Sequence, residues 1–123
     1  MIPKYRAWLK YEGCFADSIE SIRYDKETIF LKWGGFGRGD RFEFYEVELM
    51  QSTGLLDKNG KEIFEGDIVR FFDSLYTVFY DIEEGSYRLK PHDDRWVVDY
   101  MSNFSSEESF EIIGNIYENK EQL

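Results

Sequence analysis

Aromatic and β-branched residues alternate with polar residues through most of this chain, and turn residues interrupt the alternation at short intervals. A period of two places successive side chains on opposite faces of a strand. Several short strands separated by regular turns favour an antiparallel β architecture. We therefore predict a mostly β protein, with an antiparallel N-terminal sheet, a small SH3-like barrel or meander, and one or two short helices.

The N-terminal pattern predicts three strands. Residues 18–33 read as a hairpin, because two apolar runs flank the polar turn at residues 25–27. Residues 34–40 contain four glycines, which indicate an open loop. Residues 41–49 alternate again and predict one long strand, with Phe42 and Phe44 on the same face.

The second half of the chain predicts a meander. Asn59-Gly60 is a strong turn signal, because both residue types tolerate the positive φ of a type I′ turn. Strands follow over residues 67–73, 76–80, 87–89 and 110–117, and Gly114 within the last one predicts a bulge or a close backbone approach. Residues 94–104 favour a short helix by their apolar spacing, although Val97-Val98 leaves a strand open.

The length of 123 residues, or 14.7 kDa, predicts one domain over residues 1–123, with the sheet in 1–50 and the barrel-like meander in 51–123. The single cysteine, Cys14, cannot form an internal disulfide. No apolar stretch approaches the ~20 residues of a membrane span, and the N-terminus lacks the apolar segment of a signal peptide. We expect a cytoplasmic protein that binds no membrane.

The formal charge is −10, and residues 91–123 contribute two basic against eight acidic groups. A phosphate backbone is bound through Lys and Arg, so we expect no direct contact with nucleic acid. The acidity is typical of a protein that stays soluble through its charge. It also leaves open an acidic surface that mimics DNA or meets a basic partner.

Four segments resemble the YopX family, which is encoded by phages and prophages: residues 2–8, 49–55, 57–69 and 111–119. The run K-N-G-K-E-I-F-E-G-D-I-V, residues 58–69, is the most specific of them. The resemblance implies a mostly β fold, a phage context in a bacterial host cell, a tendency to assemble and a role that is not established. It implies no catalytic residues.

The residues themselves give weak support for catalysis. Cys14 would need a base, and His92 is the single histidine. His92 lies in a Pro-His-Asp-Asp run that favours a solvated turn over a metal site. Glu62, Glu65 and Asp67 surround Gly66 and offer paired carboxylates, but hydrogen bonding of Asp67 to local backbone N–H groups is the favoured role. We assign no catalytic, cofactor or metal residues and expect no enzyme.

Aromatic residues are the strongest functional signal. Eleven Phe, nine Tyr and three Trp exceed what one small barrel can bury. Phe36 lies in the glycine-rich loop, and the adjacent pairs Phe71-Phe72 and Phe79-Tyr80 are expected to point to opposite faces of their strands. These five residues form the candidate interaction surface.

We expect a non-enzymatic module that self-associates and binds a host or phage protein. Two alternatives remain open: an acidic DNA mimic that inhibits a host nucleic-acid-binding protein, and a small hydrolase that uses the carboxylates near Gly66.

Overall fold

The structure is a computed structural model that describes residues 4–35, 37–93, 99–100 and 110–119. The chain divides into two compact units, Met1–Gln51 and Ser52–Leu123. Among the described residues there is no α-helix, and the prediction of a mostly β protein is confirmed. The strands are, in chain order, β1 Tyr5–Leu9, β2 Cys14–Phe15, β3 Ser18–Arg23, β4 Thr28–Lys32, β5 Gly39–Glu43, β6 Val47–Leu56, β7 Glu62–Phe64, β8 Asp67–Phe71, β9 Ser74–Asp81, β10 Ser86–Pro91, β11 Asp99–Tyr100 and β12 Phe110–Asn115.

The N-terminal unit contains two sets of antiparallel strands. β1 pairs with β2 and with the first part of β6, where Ala7 lies opposite Leu49. β3, β4 and β5 form a three-stranded meander, so the predicted hairpin over 18–33 is confirmed. Alternate positions of these strands supply the core, and each fully buried large aliphatic side chain contributes roughly 1.5–3 kcal/mol. The core residues are Ala7, Leu9, Ile29, Leu31, Phe42 and Val47.

The predicted single strand over residues 41–49 is wrong. β5 ends at Glu43, a 3-10 turn occupies Phe44–Glu46, and β6 begins at Val47. The turn is stabilised reciprocally, because the Glu43 carboxylate accepts the Glu46 N–H while the Glu46 carboxylate accepts the Glu43 N–H at 3.3 Å. Alternation continues through the sequence here, and only this local capping reveals the break.

The C-terminal unit is built on a five-stranded antiparallel sheet in the order β11-β10-β9-β8-β12. The remainder of β6 pairs with β7, with Ser52 opposite Phe64. Alternation decides which face of the sheet is buried: Tyr76 and Val78 on β9 point into the core, and Thr77 between them does not. The buried core residues are Ile63, Val69, Tyr76, Val78, Leu89 and Phe110.

The turn between β6 and β7 reverses the chain as predicted, but it is not of type I′. Gly60 has a φ of 80°, whereas Asn59 is not among the residues with positive φ. The Gly60 N–H donates to the Asp57 carbonyl at 3.0 Å, and the Asp57 N–H donates to the Lys61 carbonyl at 2.7 Å. The turn therefore needs left-handed geometry only at Gly60.

The prediction for Gly114 is confirmed. The register of β12 against β8 shifts between Ile112 and Gly114, which marks a bulge. A Cβ atom at Gly114 would overlap the side chain of Asn119, so the backbone also approaches closely there. In the stretch 94–104, Asp99–Tyr100 form the short strand β11, and the rest of the proposed helix lies outside the described residues.

Candidate interaction surface

The first candidate pair, Phe71 and Phe72, lies at the end of β8. The Phe71 ring is partly buried and lies 5.3 Å from the ring of the buried Phe110. The Phe72 ring stands edge-to-face on Phe71, with 4.6 Å between the ring centres. Phe72 is 79% exposed. An aromatic stack therefore leads from the core to the surface, and we call it the Phe71–Phe72 ridge.

The expectation that Phe71 and Phe72 point to opposite faces of one strand is wrong. β8 ends at Phe71, and Phe72 adopts a left-handed backbone with φ of 55°. This conformation turns the second ring toward the first instead of away from it. A bulky residue rarely adopts this backbone, and it costs of the order of 1 kcal/mol. An exposed phenyl ring held at that cost is not explained by core packing.

The second pair follows the expected alternation within β9. Tyr80 lies on the same face as Tyr76 and Val78, and Phe79 lies on the other face. Tyr80 is 43% exposed and stands edge-to-face on Tyr87 of β10, with 5.1 Å between ring centres. The Tyr87 hydroxyl donates to the Ser52 carbonyl at 3.2 Å, which fixes the ring beneath Tyr80.

The five candidate residues do not form one patch. Phe71 lies opposite Ser74, at the start of β9, whereas Tyr80 lies six residues further along that strand, roughly 20 Å away. Phe36 lies outside the described residues. The Phe71–Phe72 ridge and the Tyr80–Tyr87 pair are therefore separate features of the C-terminal unit.

Charged residues adjoin the Phe71–Phe72 ridge in sequence, but they lie on the opposite face of the sheet from Phe71. Arg70 on β8 and Glu111 on β12 are opposite each other and form an ion pair, and Lys58 lies 3.5 Å from the same carboxylate. Burial raises the pKa of Glu111, but the effects of Arg70 and Lys58, which lower it, are larger together. The pKa of Glu111 therefore lies below its ordinary value. Glu111 therefore stays ionised at neutral pH, where it pairs with Arg70 across β8 and β12.

The carboxylates near Gly66 are bound to neighbouring groups. Asp67 is buried, and its carboxylate accepts the Phe64 N–H at 2.8 Å, as expected from the sequence. Glu62 accepts a hydrogen bond from the Ser52 hydroxyl. Asp67 holds the turn between β7 and β8, and Glu62 links β7 to β6, so both carboxylates have structural roles.

Asp57 is a carboxylate that the sequence did not single out as important. It is only 4% exposed and accepts three backbone N–H groups: Asn59 at 2.8 Å, Lys61 at 2.9 Å and Ile112 at 3.0 Å. Burial raises its pKa, but these hydrogen bonds together with the Lys61 charge outweigh burial and lower it. Asp57 thus joins the turn after β6 to β12.

The possible nucleophile and its base belong to different units. Burial, reinforced by the charges of Glu12 and Asp17, raises the pKa of the Cys14 thiol and disfavours the reactive thiolate. His92 Nε2 lies 2.8 Å from the Thr77 hydroxyl. Within the described ranges, no three His, Cys, Asp or Glu side chains are grouped closely enough to hold a metal ion.

Sequence reasoning missed two features. Tyr87 supports Tyr80, and the facing positions on β9 and β10 could have indicated it once the hairpin register was known. The outward face of β3–β5 combines Phe30 with several cations, and the period-two pattern of those strands carried that signal.

These features define a small β protein with two compact units and an exposed aromatic ridge. Within the described part of the chain, no helix has the length and apolar character needed to cross a membrane. The family model described as YopX protein matches residues 4–123, so the chain belongs to the YopX family.

Comparison with solved structures gives similarity to protein EF1440 from Enterococcus faecalis, known from a crystal structure. The two share 29% sequence identity, and the similarity covers 98% of this chain and 97% of the other, with a TM-score of 0.67. No curated protein matches the sequence.

Proposed function

We propose that the protein is a non-enzymatic assembly module of phage or prophage origin, which acts in the cytoplasm of a bacterial host and self-associates through the Phe71–Phe72 ridge. The observation that carries the proposal is the Phe72 ring, 79% exposed in a left-handed backbone and stacked on Phe71. Burial of such an exposed ring by a partner surface gives a favourable free energy of association.

The composition of the ridge suits an interface. Contact energy in protein interfaces concentrates in a few aromatic or arginine anchors, and a ring of less important polar contacts excludes water around them. Phe72 provides an anchor that Phe71 already holds against the core.

Net charge opposes association only weakly. Two chains of −10 repel each other, but at physiological salt the Debye length is about 8 Å, so most of this repulsion is screened. Burial of apolar surface gains roughly 25 cal/mol per Å² and is not screened. Association through the ridge should therefore strengthen or persist as salt is raised.

Light scattering coupled to gel filtration tests the proposal. We expect a mass that is a multiple of 14.7 kDa for the natural sequence, and a shift toward one chain for Phe72→Ser. Tyr45→Ser is the matched control, because Tyr45 is an aromatic residue of the N-terminal unit with 68% exposure. A mass of one chain that persists at high salt would refute the proposal.

The same measurement separates the ridge from other interfaces. If the natural sequence is oligomeric and Phe72→Ser leaves the mass unchanged while circular dichroism shows a folded protein, the interface lies elsewhere. If both substitutions reduce the mass equally, the effect is a general loss of exposed aromatic surface and the ridge has no special role.

A further inference from the structure

The outward face of the β3–β5 meander is concave and carries positive charge, in contrast to the acidic chain as a whole. The groove on this face is half open to solvent and has a volume of about 530 Å³, within the range of small-molecule sites. Three of its lining residues are cations, and one is an anion. The lining residues are Ser21, Arg23, Lys26, Thr28, Ile29, Phe30, Arg41 and Glu43.

Strand register explains why these residues meet. Ser21, Phe30 and Arg41 lie directly opposite one another across β3, β4 and β5, so their side chains share one face. Arg23 lies two residues beyond Ser21 on the same strand and therefore also shares that face, roughly 7 Å along it. Phe30 thus lies opposite Arg41 and diagonal to Arg23 on this face.

Gly39 has no side chain, and this leaves room for the Phe30 ring. A Cβ atom at Gly39 would overlap that ring, and it would also lie 3.1 Å from the Leu31 carbonyl oxygen. The ring therefore leans across β5 at Gly39, and 42% of Phe30 stays exposed. An exposed aromatic ring offers a stacking surface for a flat ligand.

Two of the three cations of this face, Arg41 and Lys26, remain available for a ligand, and the third is used in part. Among the described residues, no carboxylate forms an ion pair with Arg41 or Lys26. Arg23 forms a two-point contact with Asp25, at 3.2 and 3.1 Å, which uses two of its five N–H groups. The one acid of the lining, Glu43, is occupied by the Glu46 N–H at the 3-10 turn.

We propose that this face binds a small phosphorylated ligand with a flat ring, of the nucleotide class. Arg41, Arg23 and Lys26 would receive the phosphate, since guanidinium and ammonium groups are its usual protein partners. Phe30 would stack on the ring. A site of this volume takes one nucleotide, whereas a nucleic-acid strand needs a long cationic track and would meet the repulsion of the −10 chain.

Isothermal titration calorimetry with three probes tests each part of the site. AMP carries both the ring and the phosphate, ribose 5-phosphate lacks the ring, and adenosine lacks the phosphate. We expect AMP to bind more tightly than either of the other two. Raising the salt concentration should weaken the binding of AMP and ribose 5-phosphate but leave the binding of adenosine nearly unchanged.

Variants separate the two contributions. Arg41→Gln should raise the dissociation constants of AMP and ribose 5-phosphate about tenfold or more and leave that of adenosine unchanged. Phe30→Leu should raise the dissociation constant of AMP about fivefold and leave that of ribose 5-phosphate unchanged. Gly39→Ala should act like Phe30→Leu, because it displaces the ring without changing charge. Lys90→Gln, at an exposed cation of β10 in the C-terminal unit, is the control for net charge and should change nothing.

Three results would overturn the proposal. The first is the absence of AMP binding at millimolar concentration. The second is AMP binding that Arg41→Gln and Phe30→Leu leave unchanged while circular dichroism shows folded variants. The third is binding of single-stranded oligonucleotides without binding of AMP, which would make the face a nucleic-acid surface instead.

Discussion

Replacement of Asp57 tests whether one buried carboxylate joins the turn after β6 to β12. Asp57→Ala removes the acceptor of three backbone N–H groups, those of Asn59, Lys61 and Ile112. Hydrogen bonds to a charged group contribute about 1.5–3 kcal/mol each, and a buried donor left unpaired costs about 1–3 kcal/mol. Asn59 and Lys61 are exposed and can donate to water instead, so most of the loss falls on Ile112.

We therefore expect Asp57→Ala to lower the free energy of unfolding by about 3 kcal/mol, a large part of the 5–15 kcal/mol of an ordinary domain. Asp57→Asn keeps the shape and one acceptor oxygen but loses the charge, so its cost should be about half as large. Urea denaturation followed by circular dichroism measures both. Asp73→Ala is the matched control, because Asp73 is an exposed aspartate in a neighbouring turn, and it should stay within ~0.5 kcal/mol.

The pH dependence provides an independent check on Asp57. Its folded pKa lies below the ordinary value of 3.8, so the ionised form is favoured by folding. The resulting stability is complete above pH 3.8 and is lost as the pH falls through the lower folded pKa. Since Asp81 and Glu111 also have lowered pKa values, the acid dependence must be read as the difference between the natural sequence and Asp57→Asn.

The reasoning on Asp57 fails under two outcomes. One is an unfolding free energy for Asp57→Ala equal to that of Asp73→Ala. The other is a difference between the natural sequence and Asp57→Asn that stays constant as the pH is lowered below 3.8, since protonation should progressively reduce the charge-dependent part of that difference.

Three further outcomes are expected. Gly60→Val should destabilise by more than ~1 kcal/mol in thermal melting, because its φ of 80° strains a β-branched residue although the surrounding space is open; a melting point equal to the natural one would contradict the turn assignment. Gly114→Ala should cost about 1–3 kcal/mol in urea denaturation, because the new Cβ displaces the Asn119 side chain that accepts the Asn115 N–H at 3.1 Å; an unchanged midpoint would show that Asn119 moves freely. Purified protein should hold no stoichiometric zinc or calcium by elemental analysis, and chelation should leave melting unchanged. Bound metal at one ion per chain would contradict this.

Much of the fold follows from local sequence rules. The alternation in β3 and β4 and the bulge at Gly114 were predictable, because each depends on neighbouring residues alone. The break between β5 and β6 was not predictable from alternation. The break depends on two reciprocal hydrogen bonds between Glu43 and Glu46. In the sequence, these two residues cannot be distinguished from other acidic residues of a strand.

The candidate surface was predicted less well than the fold, for a reason that Phe72 makes clear. Strand periodicity assigns a face to a residue only while the strand continues, and β8 ends one residue before Phe72. The left-handed φ of 55° then reverses the expected direction of the ring. Neither the end of the strand nor a positive φ at Phe is visible in composition or spacing, because Phe is among the residues least typical of that conformation.

Net charge misleads for a related reason. The total of −10 is a sum over the chain, whereas a sheet face collects every second residue from strands that are distant in sequence. Arg23 and Arg41 come from different strands and line the same face as Phe30 because of register, so a cationic concavity arises in an acidic protein. A ligand that fits inside this concavity responds mainly to the nearby guanidinium groups, since charges beyond about 8 Å are screened at physiological salt. A duplex is larger than the concavity and meets the whole acidic surface. The same chain can therefore repel nucleic acid and still attract a single phosphate.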